Sequence, residues 1–146
     1  MRMTRLERDD WVQLLPHAGA MCLLDVVDGW DATTIDAGSV GHARPDHPLR
    51  GDAGLHAVHL AEYGAQAMAL HGALLARAAG DAAVRPGMLV SLRDVRLEVG
   101  FVDAHGGRLD VHAERLYADA AGAQYAFRVE QSGRLLASGR AAAMYG

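Results

Sequence analysis

Leu55–Leu75, LHAVHLAEYGAQAMALHGALL, is the stretch on which the reading of the fold turns. It has the composition of a buried helix, yet it carries the carboxylate Glu62 and three histidines, His56, His59 and His71. At about 100° per residue, Leu55, His59, Glu62, Gln66 and Ala69 return to one stripe. Ala57, Ala61, Gly64, Ala65, Ala67, Ala69, Gly72 and Ala73 add little side-chain bulk, so a second layer of backbone can approach closely. The two glycines in that set each cost about 1 kcal/mol of helix propensity. Such a helix asks to be wrapped by another layer.

The rest of the chain reads mainly as strand and turn. A short amphipathic helix is expected from Thr4, as N-cap, to Leu15, where Pro16 stops it. Met21–Leu24 with Val26 and Val27 reads as a buried strand between Gly19 and Gly29, and Thr33–Val40 as a second. Gly41–Gly54, GHARPDHPLRGDAG, is turn chemistry throughout. After the helix, Ala79–Gly87 is a turn-rich connection containing Gly80, Asp81 and Pro86. Met88–Val102 alternates in its second half, with Val95, Leu97 and Val99 on one face, as a half-buried strand does. Strands are then expected over Arg108–Ala118, Gln124–Glu130 and Leu135–Met144, joined by turns at HGG, DAAG and QSGR. The expectation is a single α+β domain over residues 1–146, with the long helix wrapped by a curved antiparallel sheet of five to six strands. Exposed sheet edges and an open helix flank argue for a homodimer.

Composition excludes several classes of function. The chain is 51% hydrophobic with net charge -4, and its 14 arginines are scattered, so no nucleic-acid surface is expected. No apolar run reaches the roughly 18 residues of a membrane span. The single Cys22 and an N-terminus without a secretory apolar core point to a cytoplasmic protein.

Two motifs in order resemble a known family. LLPHAGAMCLLDVV, Leu14–Val27, resembles the LPHRxPxLLLDRV opening of bacterial 3-hydroxyacyl-[acyl-carrier-protein] dehydratases of the hot-dog fold. LHAVHLAEYGAQAMALHG resembles their MPGVLxxEAxAQxxG helix without a gap, placing Leu55 on the Met, Val58 on the Val, Glu62 on the Glu and Ala65-Gln66 on Ala-Gln. The likeness is closer to the divergent branch of aryl-polyene and xanthomonadin-type pigment clusters, with helix LPAxxGIEYxAQAxAxH followed by a strand SLRDVRL, here Ser91–Leu97. It runs from Leu15 to about Ala143.

The resemblance implies elimination of water from a 3-hydroxyacyl thioester, carried by acyl-carrier protein, to give a trans-2-enoyl thioester. That reaction needs a base for the C2 proton, an acid for the departing hydroxyl, and dipoles aimed at the thioester carbonyl. In such dehydratases a loop histidine of one subunit is the base, and a carboxylate on the partner's helix is the acid. Free N–H groups at the helix start face the carbonyl. By the motifs these are His47, Glu62 and the amides near Ala57 and Val58. The family loop GHFPxxPxMPG corresponds to DHPLRGDAGLHA, Asp46–Ala57, with one extra residue before Leu55, and His56 stands where a proline opens the family's helix.

Other residues keep alternatives open. Glu62 is either a solvent-facing helix carboxylate or the general acid, in which case an apolar surrounding should favour its protonated form. His47 is either an exposed turn residue or the base. His59, at i-3 from Glu62, is a second candidate base or Glu62's hydrogen-bond partner. Gln66 either orients that carboxylate beside substrate or satisfies buried backbone. His56 reads as a helix-start residue, His71 as a core or interface histidine, His17 as a loop pin, and His42, His105 and His112 as loop or strand-surface residues. No metal and no cofactor is called for. A thioesterase on the same fold, or a non-catalytic subunit paired in a heterodimer with an active dehydratase, are the competing readings.

Overall fold

The computed structural model describes residues 2–16, 19–80 and 87–145. His17 and the stretch with Asp81 and Pro86 lie outside them. Seven antiparallel strands form one sheet: β1 Leu6–Glu7, β2 Val26–Trp30, β3 Thr34–Ser39, β4 Gly87–Leu97, β5 Leu109–Ala118, β6 Gly122–Gln131 and β7 Arg134–Tyr145. Their order is β1-β2-β3-β5-β6-β7-β4. The helix α2, Leu60–Ala78, follows a 3-10 turn at Ala57–His59 and packs against β3, β5, β6 and β7. This is the hot-dog fold. No helix among the described residues is long and apolar enough to cross a membrane.

Local chemistry accounts for the meander. Leu109, Val111 and Ala113 of β5 and Ala123, Tyr125, Phe127 and Val129 of β6 are buried at period two, the pattern of a sheet with one face on the core. The β6–β7 turn places Ser132 and Gly133 at φ 50° and 79°, a type I′ geometry matched to strand twist. Between β5 and β6, Asp119 Oδ1 accepts from the amides of Ala121 (2.8 Å) and Gly122 (3.1 Å).

Three expectations are corrected. The N-terminal helix is only Arg8–Trp11 (α1), because Leu6 and Glu7 pair with Val27 and Val26 and add the seventh strand; a capping box of Glu7 and Asp10 then starts the helix. The run Cys22–Leu24 is buried but precedes β2, since Leu23 N–H is held by the Gln66 side chain rather than by a neighbouring strand. β4 is not half-buried in the single chain. It pairs only with β7 at the edge of the sheet, and Met88, Leu89, Val90, Leu92, Val95 and Leu97 are all exposed.

Candidate active site

The helix start is assembled from a small set of hydrogen bonds. His56 is the N-cap of the 3-10 turn, its Nδ1 accepting from Val58 N–H at 3.0 Å, while its ring meets Phe101 edge-on. Ala57 N–H donates to Gly100 O at 2.9 Å. The two amides expected to be free for a carbonyl are therefore both engaged here. A proline in place of His56 could not cap Val58 in this way, so the histidine is what closes that amide.

Glu62 stands in the first turn of α2 on an open stripe. Val58, Glu62 and Ala69 are exposed while Leu60, Ala61, Tyr63, Gly64, Gln66, Ala67 and Met68 are buried. Its side chain is 51% exposed, so the single chain does not supply the apolar surrounding expected for a protonated acid. His59 Nδ1 lies 4.0 Å from Glu62 Oε1, as the i, i+3 spacing requires.

His47 is not an exposed turn residue. Turns at Arg44–His47 and His47–Arg50 fold its loop back, and the residue is 7% exposed. Leu49 N–H donates to Nδ1 (3.2 Å), which leaves the ring proton of the neutral imidazole on Nε2; this nitrogen is 2.9 Å from the Tyr63 hydroxyl. The two rings lie 9° from parallel. Burial is the main cause holding the His47 pKa below its ordinary value, helped by Arg44, His42, His59 and Arg50. Nearby, Ser39 Oγ donates to Leu23 O at 2.6 Å. Burial pushes the Tyr63 pKa up, so it serves as a neutral hydroxyl.

Gln66 takes the second of its two roles. Its Oε1 accepts from Leu23 N–H (2.8 Å) and its Nε2 donates to Met21 O (2.7 Å), tying the segment before β2 to the helix. The structure thus joins His47 to Tyr63 and His59 to Glu62; no hydrogen bond joins His47 to Glu62 among the described residues. Tyr63 was not singled out from sequence for this role. The signal was present in Tyr63, a hydroxyl one residue after Glu62 and so about 100° round the helix, on its buried side.

The remaining histidines sort by burial. His71 is wholly buried, as a core residue: Nε2 donates to Asp31 O at 2.7 Å, and Nδ1 is bonded to Tyr125 OH. His42, expected at the surface, is instead 3% exposed against Gln131, because the turn after β3 folds it under the loop. His112 is half-buried on β5 with Nδ1 2.6 Å from Asp36 Oδ1, and His105 is exposed.

Residues 10–145 match the sequence family described as ApeP-like, ApeP dehydratase. The chain belongs to the ApeP-like dehydratase family. Dehydration is accordingly its reaction class, and the expectation of a dehydratase is met. Among solved structures, the ApeI:P dehydratase heterocomplex from Xenorhabdus doucetiae is similar over 97% of this chain and 91% of that one, at 24% identity and TM-score 0.82. A hypothetical thioesterase with coenzyme A from Streptococcus pneumoniae is similar over 82% and 84%, at 10% identity and TM-score 0.61. A hypothetical protein from Staphylococcus aureus is similar over 82% and 91%, at 13% identity and TM-score 0.63. These likenesses carry the hot-dog fold. No curated protein sequence matches significantly.

Proposed function

We propose that this ApeP-like dehydratase acts on a 3-hydroxyacyl thioester presented by an acyl-carrier protein, at a site shared between two hot-dog subunits, in the building of an aryl-polyene or xanthomonadin-type chain. The observation that carries the shared site is the open stripe of Val58, Glu62 and Ala69 on an otherwise buried helix, together with the exposed apolar edge strand β4. An uncovered apolar sheet edge calls for a partner. A second subunit covering that face would set its own 41–54 loop toward this chain's Glu62.

In this arrangement His47 of one subunit takes the C2 proton and the C2 electron pair moves toward the thioester carbonyl. Val58 N–H, released as His56 turns aside, donates to the carbonyl oxygen as it gains charge, with Ala57 shaping the same turn. Glu62 of the other subunit gives its proton to the C3 hydroxyl, which leaves as water while the C2=C3 bond forms. Gln66 contributes by fixing the segment at Met21–Leu23 on the helix. His59, beside Glu62 on the same helix, is the competing base.

A heteromeric form is the second reading. It is supported by the extent of the likeness to one chain of a dehydratase heterocomplex and by the closed state of His47, whose ring nitrogens are both occupied. Here the partner's histidine would serve Glu62 of this chain. The test is to incubate the protein with a 3-hydroxyacyl and a saturated acyl thioester and to follow enoyl absorbance and free thiol. Enoyl formation without thiol supports the homomeric dehydratase, enoyl formation only with a second hot-dog subunit supports the heteromer, and thiol release from the saturated substrate overturns both.

A further inference from the structure

We propose that Tyr63 is a positioning residue for the dehydration, acting through His47: its phenol oxygen accepts from Nε2–H and, with Leu49 N–H at Nδ1, holds the imidazole as the tautomer whose lone pair is on Nδ1. The inference rests on the reading of His47 as the base. The geometry leaves one consistent assignment of protons. Because Leu49 N–H donates to Nδ1, a neutral ring must carry its hydrogen on Nε2, 2.9 Å from the tyrosine oxygen.

The His47–Tyr63 bond therefore ties the loop to the helix, which Gln66 ties in turn to the segment at Leu23. All three side chains are nine-tenths or more buried: His47 7%, Tyr63 0% and Gln66 4% exposed. The His47 ring is held at both nitrogens, with its plane 9° from that of Tyr63. In this arrangement the Leu49 amide is the replaceable partner, because its contact of 3.2 Å is longer than the 2.9 Å contact to Tyr63 and lies on the one nitrogen able to take a proton. When the C2 proton arrives on Nδ1 the ring becomes a cation, and Nε2–H binds the tyrosine oxygen more strongly than the neutral ring did. Tyr63 thus favours the protonated base without itself exchanging a proton.

The test is 15N NMR of the histidine rings in the full-length protein, followed by Tyr63→Phe and His47→Ala kinetics with a 3-hydroxyacyl thioester of N-acetylcysteamine. The wild-type protein should show His47 as the Nε2–H tautomer, and Tyr63→Phe should shift the Nε2 resonance, since that N–H loses its acceptor. Tyr63→Phe should lower kcat by about 10- to 100-fold, the usual effect of losing a residue that orients an active group. KM should stay near the wild-type value, and the acidic limb of kcat/KM should move to lower pH, since the imidazolium loses its acceptor. A fold defect would leave KM and this limb without such a pattern. A Nδ1–H tautomer in the wild-type protein overturns the proposal whether or not Tyr63→Phe folds, and so does a Tyr63→Phe variant with unchanged kcat and acidic limb. An active His47→Ala variant overturns the base reading instead, and is told apart because the wild-type tautomer is then still Nε2–H.

Discussion

Gly64 of α2 lies directly against Phe127 of β6: a Cβ built on Gly64 would fall 2.5 Å from the Phe127 Cγ. A Cβ on Gly139 of β7 would fall 2.9 Å from Cζ of the same ring. Phe127 is therefore clamped between helix and sheet by two missing side chains. Their absence sets how closely α2 rides over the sheet, and with it the height of Glu62, two residues before Gly64.

Gly64→Ala is accordingly expected to destabilise the protein although alanine is the better helix former. Overpacking of a tight core costs about 1–3 kcal/mol, offset by about 1 kcal/mol of propensity. A net loss of up to about 2 kcal/mol should appear in urea unfolding, and Phe127→Leu in the same chain should restore part of it. A more stable Gly64→Ala protein would mean that the ring gives way freely.

Glu62→Gln tests the acid. Because the side chain is half exposed and forms no hydrogen bond to the core, the unfolding midpoint should not move. Dehydration should fall by roughly two to four orders of magnitude, the usual size of a general acid-base contribution. Wild-type turnover would remove Glu62 from the site.

Mixing variants shows whether acid and base come from different chains. In a homodimer, His47→Ala and Glu62→Gln should each be inactive, while mixed dimers of the two regain one intact site of two. A mixture of His59→Ala with Glu62→Gln should regain nothing if those residues act within one chain. An active His47→Ala protein beside an inactive His59→Ala protein that Glu62→Gln does not rescue would reverse the assignment of the base. Light scattering on the same samples should give the mass of two chains, and an active single chain would contradict a shared site.

Stability should depend on pH through three buried histidines. His42, His47 and His71 all have pKa values held below 6.5, chiefly by burial. The unfolded chain takes up protons near 6.5 where the folded one does not, so their full contribution is present above that pH and is lost as pH falls below it. Each histidine contributes a slope of up to about 1.4 kcal/mol per pH unit. Urea midpoints should hold from pH 8 to about 7 and drop toward pH 5; a flat profile would show that these rings are hydrated.

The helix and the meander were legible because they follow from local rules. Period 3.6 over Leu60–Ala78, period two over β5 and β6, and turn chemistry at Ser132-Gly133 each act within a few residues. The two motifs also carried the family. The N-terminal segment was less legible: Trp11, Val12, Leu14 and Leu15 gave it a helical pattern, but pairing of Leu6 and Glu7 with β2, some twenty residues away, decided where the helix starts.

Only the tertiary structure decided how the site residues are held. Sequence could place Glu62 and Gln66 one turn apart, but not that Gln66 spends both amide atoms on Met21 and Leu23, since those partners lie more than forty residues away. It could place His47 in a polar loop, but not under Tyr63, because burial there depends on how turns at Arg44–Arg50 fold the loop against the helix. Spacing fixes which residues share a helical face. Which face is covered, and which hydrogen-bond donor meets which acceptor across the chain, is set by packing of elements distant in sequence.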